Sequence, residues 1–308
     1  MKHLVTIAEL SIEDLASIYR LATAPLDDQL MVGQGVALVF ERPSLRTRAS
    51  SSSAIHELGG YATIFGDEEI GLDTRESAED VARTLEQMYS IVALRLKDHA
   101  VFARMAHATE NRLALINLLS DMAHPTQAIA DVLTIADSFA KGNVHDLRGL
   151  EVAYVGDATN VTRSLAVALL RLGVNVRIGA PAGYQIQPGG VEDPGSLSDP
   201  KIGTLVLTGS AEEAVAGANV VYTDAWVSMG AESQAKERRK KLRSFRVTTE
   251  LMQRADKGAI FMHCLPAHRG DEVTDEVLDA TYSKIWTQVR HRRSAMIGAL
   301  RWIKGDEG

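Results

Sequence analysis

The stretch Val36-Ala37-Leu38-Val39-Phe40-Glu41-Arg42-Pro43-Ser44-Leu45-Arg46-Thr47-Arg48 decides how the rest of the chain is read. Its first five residues are apolar, largely branched and glycine-flanked, which predicts a buried strand running into a turn. Pro43 marks that turn. Ser44 then caps a helix through the Ala- and Ser-rich segment to His56-Glu57-Leu58, and Gly59-Gly60 stop it. Hydroxyls, guanidinium groups and unbonded backbone N–H groups thus converge on one helix N-terminus, a natural site for an anion such as phosphate. The plainer alternative is an N-cap followed by a solvated basic turn. Composition and the other post-strand loops have to choose between them.

At 308 residues and 45% hydrophobic content, the chain is long enough for two domains with substantial cores. A net charge of -7 argues against nucleic acid as a partner, so a basic cluster in this acidic background reads as a local pocket for a small anion. Cys264 is the one cysteine, which rules out an intrachain disulfide and points to a reducing, cytoplasmic setting. Glu9, Glu13 and Asp14 near the start do not suit a targeting peptide, and no apolar run approaches membrane-spanning length.

Strand and helix patterns alternate along the first half. Strands are expected at Tyr61–Phe65, Ile91–Leu96 and Leu113–Leu119, and helices at Ile12–Ala24, Glu76–Tyr89, Ala100–Ala108 and Pro125–Ala140. Residues 141–146 look like a linker. A second alternation follows, with strands at Glu151–Val155, Asn175–Gly179, Thr204–Leu207, Val220–Thr223 and Ala259–His263, and helices between them. The fold class is therefore α/β, with two doubly wound domains built on parallel sheets. The domains are expected at 1–142 and 143–289, with a final helix, Arg292–Lys304 within the segment 290–308, packing back on the first. In such sheets ligands bind beyond the carboxyl ends of the strands, so the loops there are where chemistry belongs.

Those loops carry Arg95 after the third strand and Ser120-Asp121-Met122-Ala123-His124-Pro125-Thr126-Gln127 after the fourth. In the second half, Gly156-Asp157-Ala158-Thr159-Asn160 opens a helix as a nucleotide loop would. Yet it lacks G-x-G-x-x-G, and the chain has no G-x-x-x-x-G-K-[ST]. Asp224 with Ser228-Met229-Gly230 offers a carboxylate, a hydroxyl and a flexible glycine, suiting an amino-acid-like ligand. His263-Cys264-Leu265-Pro266-Ala267-His268 has two histidines and a thiol but no further carboxylate at ligand spacing, so no metal is expected.

In this order and spacing, the segments resemble the aspartate/ornithine carbamoyltransferase superfamily over nearly the whole chain, and most closely its ornithine-using members. Ser44-Leu45-Arg46-Thr47-Arg48 looks like the family's carbamoyl-phosphate loop, and His124-Pro125-Thr126-Gln127 like its second donor motif. Arg95 sits where the intervening arginine lies. Asp224 with Ser228 and Met229 is similar to the ornithine loop, and His263-Cys264-Leu265-Pro266 to the loop that completes the site. The resemblance implies that Ser44, Leu45, Arg46, Thr47, Arg95, His124, Gln127, Cys264, Leu265 and Arg292 bind carbamoyl phosphate. Asn160, Asp224, Ser228 and Met229 would bind L-ornithine, and Arg46, Arg95, His124 and Cys264 would carry the catalysis. It further implies no cofactor, direct attack rather than a nucleophilic Cys264, and a homotrimer.

Departures from the family pattern gather on the donor side. Leu45 stands where threonine is usual, Ser51-Ser52 replace a frequent Phe-Glu, and Gly71 falls near a glutamine that reaches over from a neighbouring subunit. Arg290-His291 replace a common Glu-Asn. They keep two alternatives in view: a carbamoyltransferase for another amine, such as putrescine or an acylated ornithine, and a catalytically weak regulatory binding protein.

Overall fold

In the computed structural model, residues 1–26, 29–227 and 232–306 are described. The chain forms two compact units, 1–130 with 290–308, and 131–289.

The first unit begins with α1 (Ile12–Thr23), capped by Ser11 in a reciprocal capping box with Asp14. Then come β1 (Gly35–Phe40), α2 (Leu45–Glu57), β2 (Tyr61–Gly66), the short α3 (Asp67–Ile70) and α4 (Ala78–Glu86). β3 (Ile91–Arg95), α5 (Ala100–Ala108), β4 (Ala114–Leu119) and α6 (Pro125–Phe139) complete the run. All strand pairs are parallel, in the order β2-β1-β3-β4. The buried strands β1 and β3 read as continuous apolar runs because both sheet faces are covered. Val92, Leu94, Val81, Leu85, Phe102 and Met105 form part of the core on one face. The ladder between β3 and β4 slips at Arg95, which pairs with Leu119 while Leu94 pairs with Asn117.

The second unit contains β5 (Glu151–Val155), α7 (Asn160–Arg171), β6 (Asn175–Gly179), β7 (Leu205–Thr208), α8 (Ala211–Val215) and β8 (Val220–Thr223). It continues through α9 (Ala235–Leu242), α10 (Thr249–Met252), β9 (Ile260–His263) and α11 (Asp275–Leu278). Its sheet is also parallel, in the order β7-β6-β5-β8-β9. Ala153, Val155, Val221, Phe261 and Ile285 lie in its core. Residues 141–146, read as a linker, enter a 3-10 turn at Val144–Leu147.

The last helix, α12 (Ile285–Lys304), corrects an expectation. It starts seven residues before Arg292, because Ile285, Gln288, His291, Arg292, Ala295 and Met296 all lie on its buried side. Three of those residues are polar or charged, which hides the 3.6-residue period from a reading based on apolar side chains. Its C-terminal part packs in the first unit: Trp302 donates to Asp14 at 2.9 Å, and Arg301 donates to the Leu21 carbonyl at 2.9 Å. Among the described residues, no helix is long and apolar enough to cross a membrane.

Candidate active site

Each sheet has one point where the strand order reverses. In the first it lies between β1 and β3, since β2 lies on one side and β3–β4 on the other. Crevices at such points open beyond the strands' carboxyl ends, and the residues there are the Ser44–Thr47 turn and Arg95. In the second sheet the reversal lies between β5 and β8, whose following loops carry Asn160 and Asp224. The candidate residues therefore fall into two half-sites, one in each unit.

In the first unit Ser44 is the N-cap of α2, and its Oγ accepts the Thr47 N–H. Leu45 and Arg46 occupy the first turn, where helix geometry leaves their N–H groups without an intrahelical carbonyl. The Leu45 side chain is 79% exposed, so its contribution here is the backbone N–H. Thr47 is 1% exposed, and its Oγ1 accepts from Ser44 Oγ at 2.9 Å and from Arg292 Nη2 at 2.7 Å. A hydroxyl that already accepts twice keeps its own proton available to donate. Arg292 also donates to Gln127 Oε1. These contacts tie α2, α6 and α12 together around one guanidinium.

His124, just before α6, is 4% exposed, and Arg95 is 8% exposed. Burial drives the His124 pKa well below its ordinary value, and the nearby charges of Arg292 and Arg95 push in the same direction. The imidazole is therefore neutral at neutral pH. Thr126 was named only as part of its motif in the sequence, but it is buried with Oγ1 3.5 Å from His124 Nδ1. Arg46 is half-buried. The result is a cationic, hydroxyl-bearing helix terminus with a neutral imidazole beside it, which suits a dianion carrying a polarisable carbonyl.

In the second unit Thr159 caps α7, placing Asn160 at its first position. Asp224 lies just past β8, and its Oδ1 accepts from the Ala225 N–H at 2.7 Å and from the Cys264 thiol at 2.8 Å. This thiol–carboxylate contact is absent from any local pattern, since the residues directly follow adjacent strands and are 40 positions apart. Asp157, on the loop after β5, pairs with Arg238. Burial raises its pKa to about 6, with Arg238 opposing and the Asp224 charge adding to the rise. Leu265 sits at φ 59°, its N–H donating to His263 Nδ1 at 2.8 Å. Ser228 and Met229, expected to bind the acceptor, lie outside the described residues.

The carboxylate that sequence spacing did not supply to His263 and Cys264 is Asp224. The three residues' donor atoms lie within 4.8 Å of one another, a set able to hold a soft cation. Both His263 nitrogens are already engaged, however. Nδ1 accepts from Leu265, which leaves Nε2 protonated and facing Glu272 Oε1 at 3.3 Å. A metal would have to break that arrangement.

Residues 2–137 match the family model for the aspartate/ornithine carbamoyltransferase carbamoyl-P binding domain. Residues 148–303 match the family's Asp/Orn binding domain. The chain is 38% identical over 278 residues to the anabolic ornithine carbamoyltransferase of Pyrococcus furiosus, covering 90% of this chain and 86% of that one. It is 40% identical over 275 residues to an ornithine carbamoyltransferase of Hyperthermus butylicus, covering 89% and 85%. Among solved structures, the ornithine carbamoyltransferase of Pyrococcus furiosus superposes with a TM-score of 0.90 at 34% identity, over 100% of this chain and 98% of that one. The anabolic enzyme of Campylobacter jejuni gives a TM-score of 0.90 at 30% identity, over 100% of both chains. With both domain models matched in order and the fold shared with solved members, the chain belongs to the aspartate/ornithine carbamoyltransferase family.

Proposed function

We propose that this chain is an ornithine carbamoyltransferase, moving the carbamoyl group of carbamoyl phosphate onto the δ-amine of L-ornithine to give L-citrulline and phosphate. Segment 1–142 with the C-terminal helix binds the donor, and 143–289 binds the acceptor. The amine nitrogen forms its bond to the carbonyl carbon, and the carbon–oxygen bond to phosphate breaks. Phosphate leaves with the electron pair, and the amine loses a proton. The donor is already activated, so the residues need only position, polarise and stabilise charge.

Ser44, Arg46, Thr47 and Arg95, with the first-turn N–H groups of Leu45 and Arg46, hold the phosphate. Thr47, Arg95 and neutral His124 polarise the carbonyl and stabilise the oxyanion. Gln127, Arg292 and the Cys264–Leu265 backbone bind the carbamoyl amide. Asp224 pairs with the α-ammonium of ornithine, and Asn160, Ser228 and Met229 take its carboxylate. The names of the relatives support arginine biosynthesis as the setting. One cysteine fits a cytoplasmic location. The chain's resemblance to the family carries the further proposal of a homotrimer.

The observation that carries the choice of acceptor is Asp224, a carboxylate at the switch point of the second sheet, bonded to Cys264. An anion there attracts an ammonium and repels the second carboxylate of aspartate. The test is phosphate release and ureido-product formation from carbamoyl phosphate with ornithine, aspartate, putrescine and N-acetylornithine. Ornithine should turn over far faster than the others. Equal rates with putrescine would reassign the acceptor, and turnover with none would favour a regulatory binding protein instead.

A further inference from the structure

The outer edge of β9 poses a hydrogen-bonding problem. β9 is the last strand of its sheet, so one edge pairs with β8 and the other must find partners elsewhere. Backbone supplies them as far as Phe261, whose N–H donates to the Tyr282 carbonyl at 3.1 Å and whose carbonyl accepts from Lys284 at 2.8 Å. The next outward N–H belongs to His263, fully buried, and its partner is a side chain: Gln288 Oε1 at 3.0 Å. The chain turns into the Cys264–Leu265 loop immediately afterwards.

Gln288 is itself held from behind. Its Nε2 donates to Asp131 Oδ1 at 2.7 Å and to the Tyr222 hydroxyl at 3.1 Å, while that hydroxyl donates to Asp131 Oδ2 at 3.0 Å. Asp131 and Tyr222 are fully buried, and Gln288 is 1% exposed. Every proton direction is thereby set: the carboxylate only accepts, so the amide nitrogen faces it and the amide oxygen faces His263. Tyr222 stands two residues before Asp224 on β8, and His263 directly precedes Cys264 on β9. The one closed network therefore anchors both strand ends whose next residues meet in the 2.8 Å thiol–carboxylate contact.

We infer that Gln288, backed by Asp131 and Tyr222, is a positioning residue that sets the placement of Cys264 and Leu265 against Asp224 and thereby the rate of carbamoyl transfer. Gln288 touches no reacting atom; it acts through the His263 backbone. Its position explains why a glutamine is buried near the start of α12, and why an apolar residue of similar volume would not serve. This inference rests on the proposed reaction for its kinetic arm, but its geometric arm stands apart from that reaction.

The test uses full-length Gln288→Met, which keeps volume and removes both hydrogen-bonding ends, and Tyr222→Phe, which removes one hydroxyl. Gln288→Met should lower kcat at least about tenfold while KM for carbamoyl phosphate moves less than about threefold. It should also change the rate of Cys264 alkylation by iodoacetamide, measured on the folded protein. Tyr222→Phe should shift both readouts in the same direction by a smaller factor, and it carries the test if Gln288→Met does not fold. If wild-type protein makes no citrulline, the proposed reaction fails, but a changed alkylation rate still supports Gln288 as the anchor. A folded variant with wild-type kcat and wild-type Cys264 reactivity overturns the inference.

Discussion

Thr47 illustrates how a residue's chemistry here comes from what surrounds it. With Ser44 and Arg292 both donating to its oxygen, its own proton is left available to donate, and the first turn of α2 adds backbone N–H groups beside it. Arg46 supplies the charge. Arg46→Ala should weaken carbamoyl phosphate binding by about 2 to 5 kcal/mol, because a charge-assisted guanidinium–phosphate contact is lost from a partly desolvated site. Calorimetry with the donor alone measures this, and unchanged affinity would remove Arg46 from the phosphate site. Asp224→Asn should raise KM for ornithine strongly and disturb donor affinity little, since the proposed phosphate contacts Ser44, Arg46, Thr47 and Arg95 all lie in the first unit. Steady-state kinetics with each substrate varied decides it.

His124 adds a pH dependence whose sign follows from its depressed pKa. Below about pH 6.5 the unfolded chain protonates this histidine while the folded protein does not. The stability it contributes is therefore complete above about pH 6.5 and is lost as pH falls, by at most about 1.4 kcal/mol per pH unit. Urea unfolding near pH 7.5 and pH 5.5 should show His124→Gln with a shallower acid-side loss than wild type. An identical slope would mean that the folded imidazole protonates normally.

At the scale of elements, close approach matters as much as hydrogen bonding. Gly298 on α12 faces α1, and a Cβ there would collide with the Ile18 carbonyl and lie 2.9 Å from Ala22 Cβ. The Ile18 contact is backbone, which cannot rotate away. Gly298→Ala should therefore destabilise the protein by about 1 to 3 kcal/mol, through separation of the two helices. A thermal melt checks it, and a neutral effect would show that α12 shifts freely. Elsewhere in the first unit, Gly71 ends α3 with φ 54°, and a Cβ there would meet Arg75 Cβ at 2.8 Å. The glycine that departs from the family pattern thus answers a local backbone requirement.

Across the whole molecule, the two parallel sheets repeat one device. Each reverses its strand order once, and Ser44–Thr47, Arg95, Asn160 and Asp224 follow the strands beside that reversal. Each unit also has its own apolar core, so each half-site is built on a rigid frame. The proposed assembly gives a prediction at this scale: sedimentation equilibrium should return three times the chain mass. A monomer with full activity would refute the need for a trimer.

The sequence by itself determined the alternation of strands and helices, the parallel sheets and the Ser44 cap, because periodicity, turn residues and caps are local. It also picked out the loops bearing Ser44, Arg95, His124, Asp224 and Cys264, since in this topology ligand loops follow strands. The early start of α12 was hidden, because Gln288, His291 and Arg292 are buried polar residues, and the partners of Gln288 and Arg292 lie far along the chain. The same is true of the Cys264–Asp224 contact, of the carboxylate completing the His263–Cys264 set, and of the Asp131–Tyr222–Gln288 network. Those pairings depend on which strands become neighbours and in what register. Only the tertiary structure decides that, because strand order and register follow from long-range packing rather than from any one segment.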